Sequence, residues 1–179
     1  MTALWRCSPQ FLKTVFVAFF LGFTAWPSLA GVERLDDSAS PRNLVNSPPM
    51  VSEQGLPLSQ YLPGTPAPQV GIVNFGRIEY KLATSRYIGK PARIYYVIPA
   101  VIAGLRSPAG LKVEWRGNGI FANGSARPGE RALVWSGIVR DVAMTESLTL
   151  TMRIQLRELQ LRAGQGLAFE SYFEIEVSP

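Results

Sequence analysis

Apolar and polar residues alternate strictly over one long stretch of this chain, and no other feature constrains the fold as much. In residues 148–156 leucine, methionine or isoleucine takes every second position, and threonine, arginine or glutamine takes the positions between. Successive side chains of a β-strand point to opposite sides, so the stretch predicts a strand with one buried face. A helix would distribute the same residues around its circumference.

The same alternation recurs elsewhere, with glycine or proline between the runs. These residues supply the backbone conformations that chain reversal needs. The pattern predicts an all-β fold, an antiparallel two-sheet sandwich of immunoglobulin-like size, with a small β-barrel as the alternative. About seven strands are predicted, at 72–84, 92–98, 111–116, 119–122, 131–139, 147–161 and 167–177.

The last two predicted strands carry charges that suggest a register. The alternation slips at Arg157 and Glu158, which predicts a β-bulge there. If a short loop joins the two strands as a hairpin, Arg157 faces Glu170 and Arg153 faces Glu174. Opposite charges across strands contribute about 0.2–1 kcal/mol each. We therefore interpret these charges as a solvated sheet face rather than as a binding site.

The first thirty residues have the three parts of a secretory signal peptide. Arg6 and Lys13 precede an uncharged apolar run at 14–26, Pro27 ends the run, and small residues lead to Ala30. Cleavage is expected after Ala30. The run is shorter than the ~20 residues that a membrane-spanning helix needs. The mature chain is therefore expected to be periplasmic or extracellular, with no transmembrane anchor.

Two residue types that carry much of enzyme chemistry are missing from the expected mature chain. The sequence has no histidine, and its one cysteine, Cys7, precedes the expected cleavage point. A Ser-His-Asp triad, a catalytic thiolate and a zinc-thiolate site are thereby excluded. We expect a non-catalytic protein with no cofactor and no metal, and keep an enzyme of unrecognised type as an alternative.

The charge of the chain is mildly positive. Removing Arg6 and Lys13 from the 18 basic residues leaves 16 against 13 acidic ones, a net charge of +3. This charge is spread along the chain, as ordinary solubility requires, although attraction to anionic glycans or lipid headgroups is the alternative. No run of lysine and arginine suggests nucleic acid.

Residues 31–70 differ in composition from the rest. They contain seven prolines, which disfavour helices and central strands, yet they also carry leucine, valine and tyrosine. We predict a disordered stretch at 31–43 and an extended arm at 44–70, which lies against the domain or against another subunit. The sandwich domain is predicted to span 71–179.

Two predicted strands are apolar on both faces, although a sandwich strand normally buries only one. The loop at 99–108 is also apolar, which indicates either a contact surface or a plug that closes one end of the sandwich. The proline-rich arm, a second copy or another protein would cover the surplus apolar surface. The predicted contact residues are Tyr95, Val97, Val101, Ile102, Leu105, Leu133 and Trp135.

With its export signal and strand pattern, the chain resembles exported immunoglobulin-like modules of bacterial envelopes, including surface-fibre subunits. The resemblance implies a structural or protein-interaction role in the cell envelope, with another envelope protein or a second copy as partner. The prolines argue against an N-terminal donor strand. The alternative is a carbohydrate-binding module that uses exposed aromatic faces at Trp115, Trp135 or Tyr95.

Overall fold

The computed structural model describes residues 31–41, 49–62, 64–160 and 170–178. The predicted signal peptide and its cleavage position at Ala30 lie outside the described residues, as does the first part of the last predicted strand. The strands are β1 (Val32–Arg34), β2 (Val51–Ser52), β3 (Val70–Ala83), β4 (Pro91–Val97), β5 (Leu111–Gly117), β6 (Gly124–Ala126), β7 (Arg131–Ile138), β8 (Ala143–Gln155) and β9 (Tyr172–Val177). Short 3₁₀ helices occupy Leu58–Gln60, Ser85–Tyr87, Pro108–Gly110 and Leu156–Glu158.

The nine strands form two antiparallel sheets, which confirms the predicted two-sheet sandwich. One sheet has four strands in the order β1-β9-β4-β7, and the other has five in the order β2-β3-β8-β5-β6. Over the residues that the structure describes, the sheets do not join into a closed barrel. Within those ranges, no helix has the length and apolar character that crossing a membrane requires.

The core lies between the sheets, and the alternation in β8 places its residues as the sequence predicts. Leu148, Leu150, Met152 and Ile154 are buried against the inner face of the four-stranded sheet. That sheet contributes two directly opposed inward pairs, Ile94 with Ile175 and Tyr96 with Phe173. The rings of Tyr80, Tyr96, Trp115 and Phe173 contact one another with centroids 4.9–6.3 Å apart. Aromatic packing therefore joins the two sheets.

The N-terminal segment seals one side of the sandwich. After β1 pairs with β9, Leu35 is 2% exposed and lies in the core. The chain then satisfies the free edge of β3, because Ala83 N donates to Asp36 O and Lys81 N donates to Ser40 Oγ, both at 2.9 Å. Where the sequence predicts a disordered stretch at 31–43, the structure has a strand and a covered sheet edge over residues 32–40.

The opposite side is closed by the segment after β5. Ala122 N donates to the carbonyl of Val134 in β7 at 2.8 Å, which links the two sheets at this edge. The predicted strand at 119–122 is wrong, because side chains hold this segment in a bend. Asn123 Oδ1 accepts from Gly117 N at 3.0 Å, and the short strand follows at Gly124–Ala126.

The predicted pairing of the last two strands is also wrong. β8 ends at Gln155 and continues as a 3₁₀ turn rather than a bulge, and β9 belongs to the other sheet. Arg153 therefore lies opposite Ile72 and Lys112, while Glu174 lies opposite Tyr95. The strand pattern predicts each strand by itself, but it carries no information on which sheet a strand joins.

The arm pairs with the five-stranded sheet. Val51 lies opposite Ile72, so β2 extends the edge of β3 where that strand begins. Gly71 permits this approach, because a Cβ atom there would collide with the sulfur of Met50. The described part of the arm therefore packs on its own chain.

Candidate functional site

The outer face of the four-stranded sheet holds several of the predicted contact residues. Because β4 and β9 direct alternate residues inward, Tyr95 and Glu174 lie opposite each other on the outer face. In β7, Arg131 lies opposite Val97, and Leu133 lies opposite Tyr95. We define the Arg131 cluster as Tyr95, Arg131, Glu174 and Glu176.

Arg131 is the centre of this cluster. Its guanidinium carbon lies 3.8 Å from the centroid of the Tyr95 ring. Its Nε lies 3.5 Å from Glu174 Oε2, and its terminal nitrogen lies 3.4 Å from Glu176 Oε2. A guanidinium stacked on a ring and bonded to two carboxylates is held in one orientation. Contacts within the chain therefore fix the orientation of Arg131.

An apolar side chain stands beside the cluster. Leu133 is 49% exposed and directly opposes Tyr95. Ile138 is also exposed, at the far end of the same strand. The face thus combines an exposed leucine, a half-buried tyrosine and paired charges. Of these residue types, tyrosine and arginine are enriched in protein interfaces.

A second stacked arginine extends the face toward β1. The guanidinium carbon of Arg34 lies 4.7 Å from the ring centroid of Tyr172, and a terminal nitrogen of Arg34 lies 3.5 Å from Glu170 Oε1. Arg93 adds a contact of 3.9 Å to Glu176. The outer face of the four-stranded sheet therefore carries two arginine–tyrosine pairs, and each of these arginines also contacts a glutamate.

The apolar loop at 99–108 is mostly a plug. Ile102 is 5% exposed, and Leu105 packs against the core cluster. Leu105 also bridges to Leu159, which fixes the loop to the end of β8. Val101 alone of the three predicted loop contacts is exposed, at 87%. The alternative interpretation of this loop, closure of one end of the sandwich, accounts for the other two.

Of the predicted strand contacts, Val97 is buried and Trp135 is partly buried with its side chain against the core. Val97 is 7% exposed. Trp135 packs against the core, because the register of β4 and β7 shifts between Ile94 and Tyr95. This bulge places Trp135 opposite the inward-facing Ile94 and breaks the alternation that the sequence implies. Tyr95, Leu133 and Val101 are the predicted contacts that the surface retains.

The described part of the arm does not cover the Arg131 cluster. The arm pairs with β3 of the five-stranded sheet, whereas Tyr95 and Leu133 lie on the outer side of the other sheet. Within the described residues the cover over Tyr95 is Arg131, a residue of the same sheet. The Arg131 guanidinium thus covers part of the apolar surface that Tyr95 adds to the outer face of β4.

The aromatic residues expected to meet a sugar are not free platforms. Trp115 is 2% exposed, and its indole N–H donates to Ala122 O at 3.1 Å. Gly124 packs closely on the Trp115 ring, where a side chain would collide. The Tyr95 ring has Arg131 on one side.

Three tyrosine hydroxyls have perturbed acidity for structural reasons. Burial raises the pKa of Tyr96 well above its ordinary value, and burial likewise raises the pKa of Tyr80. The Tyr96 hydroxyl lies 2.6 Å from Ser171 Oγ and 3.4 Å from the Tyr80 hydroxyl. Burial and a bond to the Glu33 carboxylate raise the pKa of Tyr87 to about 12. These hydroxyls stay protonated at neutral pH and bond structural elements together.

One carboxylate is buried. Glu146 is 4% exposed and projects inward from β8. Its Oε2 accepts from Phe121 N at 2.8 Å, and its Oε1 accepts from Ser147 N at 2.7 Å. Gly119 lies against the carboxylate, since a Cβ there would come within 2.8 Å of both oxygens. The group fixes the bend after β5 and has both oxygens occupied.

Arg131, the centre of this cluster, was not singled out from the sequence. The glutamates of β9 were assigned to arginines of β8, whereas their partners are Arg131 and Arg93. The available signal was the alternation of side chains along each strand. It places Arg131 on the same face as Leu133, and Arg93 on the same face as Tyr95. Using that signal required knowing that β4, β7 and β9 belong to one sheet.

Comparisons of the chain with protein-family models, with curated proteins and with solved structures gave no match. Among the described residues, no group of three or more potential ligands from His, Cys, Asp and Glu is placed to hold a metal ion. Function can therefore be inferred only from the geometry of this chain.

Proposed function

We propose that this chain is an exported, non-catalytic interaction module of the bacterial cell envelope, which binds another protein through the outer face of its four-stranded sheet. The observation that carries the proposal is the Arg131 cluster with the exposed Leu133 beside it. Tyrosine and arginine dominate the energetics of protein interfaces, because they combine apolar area with directional bonds.

The pairing of the charges supports this choice of surface. Glu174 and Glu176 already have Arg131 as a partner, and Arg93 also contacts Glu176. Burying such a network beneath a partner costs less than burying unpaired charges. The expected partner offers an apolar hollow for Leu133 and polar groups at the rim.

Export is the other half of the proposal and is supported by the signal pattern of residues 1–30. Expression of the full chain in a bacterial host, followed by N-terminal sequencing of the secreted or periplasmic product, should give Gly31 as the first residue. Retention of the intact N-terminus in the cytoplasm would contradict export.

Photocrosslinking in the native envelope tests the surface. A benzophenone amino acid at position 133 should give a discrete adduct whose yield falls when Arg131→Ala is added. The same probe at position 142, an exposed apolar position in the turn between β7 and β8, is the matched control. An adduct of twice the mass would identify a second copy as the partner, and a different mass would identify another protein. Equal labelling from both positions, or none from 133, would refute the proposed surface.

A further inference from the structure

The outer face of the five-stranded sheet is a separate polar surface. Its central strand, β8, places Thr145, Ser147, Thr149 and Thr151 in a row, in which Ser147 is buried and the three threonines reach the surface. The neighbouring strands place charged side chains on both sides of this row. Such a row of hydroxyl groups in the middle of a sheet offers hydrogen bonds without apolar contact area.

This face carries an excess of positive charge. Five basic side chains on its strands meet three carboxylates, of which Glu53 comes from the arm, which leaves a net charge of +2. The carboxylates pair with Lys112, Arg77 and Arg153. Arg116 and Lys81 form no ion pair with any residue in the described ranges. The face therefore favours an anionic occupant.

A hollow of about 430 Å³ lies beside Arg116. Thr149 and Thr151 line it from β8, Glu114 lines it from β5, and Asn123 lines it from the bend after β5. The hollow thus combines Arg116, which has no ion-pair partner among the described residues, with the Glu114 carboxylate and several neutral hydrogen-bonding groups.

The two hydroxyls of the hollow are held in complementary states. Thr149 Oγ1 accepts from Asn118 Nδ2 at 3.2 Å, so its own proton is free to donate. Thr151 Oγ1 donates to Asn74 Oδ1 at 3.1 Å, so its lone pairs are free to accept. A ligand hydroxyl both donates and accepts, and therefore matches this pair.

We propose that this hollow binds an acidic polysaccharide, with Arg116 on a sugar carboxylate and with Thr149 and Thr151 on sugar hydroxyls. A guanidinium holds a carboxylate through two parallel hydrogen bonds. Glu114 lies 2.8 Å from Lys112, which offsets its repulsion of the ligand. This surface is distinct from the Arg131 cluster, and its ligand does not depend on the proposed protein partner.

The residues favour a sugar over a lipid surface. Proteins that lie on membranes insert tryptophan, phenylalanine or leucine below the headgroups. The one aromatic residue at this hollow, Trp115, is buried, and its other side chains are polar. Positive charge alone would attract an acidic polysaccharide and an anionic lipid surface alike. The hydroxyl row favours the polysaccharide.

Binding to polygalacturonate tests the proposal, with its methyl ester as the uncharged polymer of the same backbone. The purified protein should bind the acid and not the ester. Arg116→Gln should weaken binding about tenfold or more, because a hydrogen-bonded charge pair is lost. Arg140→Gln removes the same charge from the exposed turn between β7 and β8 and should change binding less than twofold.

Three results would overturn the proposal. One is equal weakening by both substitutions, which would mean attraction by net charge alone. Another is binding to phosphatidylglycerol vesicles that depends on Arg116 as strongly as polymer binding does. The third is no binding to polygalacturonate, alginate or hyaluronate. Arg131→Ala should leave polymer binding unchanged, so this test and the crosslinking test fail independently.

Discussion

The hydroxyl of Tyr96 in the four-stranded sheet lies 3.4 Å from the hydroxyl of Tyr80 in the five-stranded sheet, within the buried core. Ser171 Oγ, 2.6 Å from Tyr96, completes a short chain of hydroxyls. A polar bond between the inner faces of two sheets fixes their relative position, because sliding either sheet would leave a buried hydroxyl without a partner.

Tyr96→Phe should lower the free energy of unfolding by about 1–3 kcal/mol, because it leaves buried polar groups unpaired. The measurement is urea denaturation followed by tryptophan fluorescence. Tyr95→Phe removes the same hydroxyl from the next residue, which faces outward, and should be close to neutral. Similar losses in the two variants would show that the core bond contributes nothing specific.

Glu146→Gln should destabilise the bend after β5. The carboxylate accepts from Phe121 N and Ser147 N, and an amide offers one accepting oxygen in place of two. We expect a loss of about 1–3 kcal/mol and faster hydrogen exchange at the Phe121 amide. Glu114→Gln, on an outward-facing carboxylate, is the control. Unchanged protection of Phe121 would contradict the role assigned to this side chain.

Leu35→Ala should lower the free energy of unfolding by about 2–5 kcal/mol, as truncation of a buried leucine does. Leu35 is 2% exposed and follows β1 directly, so the result tests whether this segment belongs to the fold. Leu56→Ala, in the exposed part of the arm, should fall within about 0.5 kcal/mol of the parent protein. Equal melting curves for both variants would place the N-terminal segment outside the stable domain.

Stability should fall as the pH rises from about 10 to 12, and Tyr87 should contribute to the fall. An unfolded tyrosine ionises near pH 10, whereas burial and Glu33 raise the pKa of Tyr87 to about 12 in the folded chain. Between these values the unfolded chain releases a proton that the folded chain retains, so unfolding becomes more favourable. Tyr87→Phe should flatten this part of the stability curve and remove a phenolate absorbance step near pH 12. An unchanged curve would disprove the contribution.

The stacking of Arg131 on Tyr95 should appear as an energetic coupling. A double-mutant cycle with Tyr95→Ala and Arg131→Ala is expected to give about 0.5–1 kcal/mol in unfolding free energy. The corresponding cycle for Tyr95 and Arg93 should give a value near zero. A larger coupling in the second cycle would mean that Tyr95 interacts chiefly with Arg93 and not with Arg131.

The fold class could be predicted from the sequence because alternation is a local property of each strand. The alternating residues of β8, from Leu148 to Ile154, are buried as the pattern predicts. Strand pairing is not local, so the assignment of Glu174 to Arg153 was wrong. β1 was missed because three residues carry too little pattern to distinguish a strand from a tail.

The candidate surface could be predicted only in part. Tyr95 and Leu133 were found from strands that are apolar on both faces, and both lie on the outer face. Trp135 was misplaced by a bulge that no glycine or proline marks. Arg116 was not singled out, because its importance depends on which carboxylates are already paired with other cations.

The position of β9 between β1 and β4 has a consequence for the timing of folding. Residues 172–177 must reach β1, near residue 33, before the four-stranded sheet can close. Contacts so distant along the chain make folding slow, and among the described strands synthesis delivers β9 last. Until then the edge of β4 that later pairs with β9 exposes unpaired backbone groups, to which a strand of another chain can bind. An incomplete chain is therefore most open to association with another chain at this edge of β4.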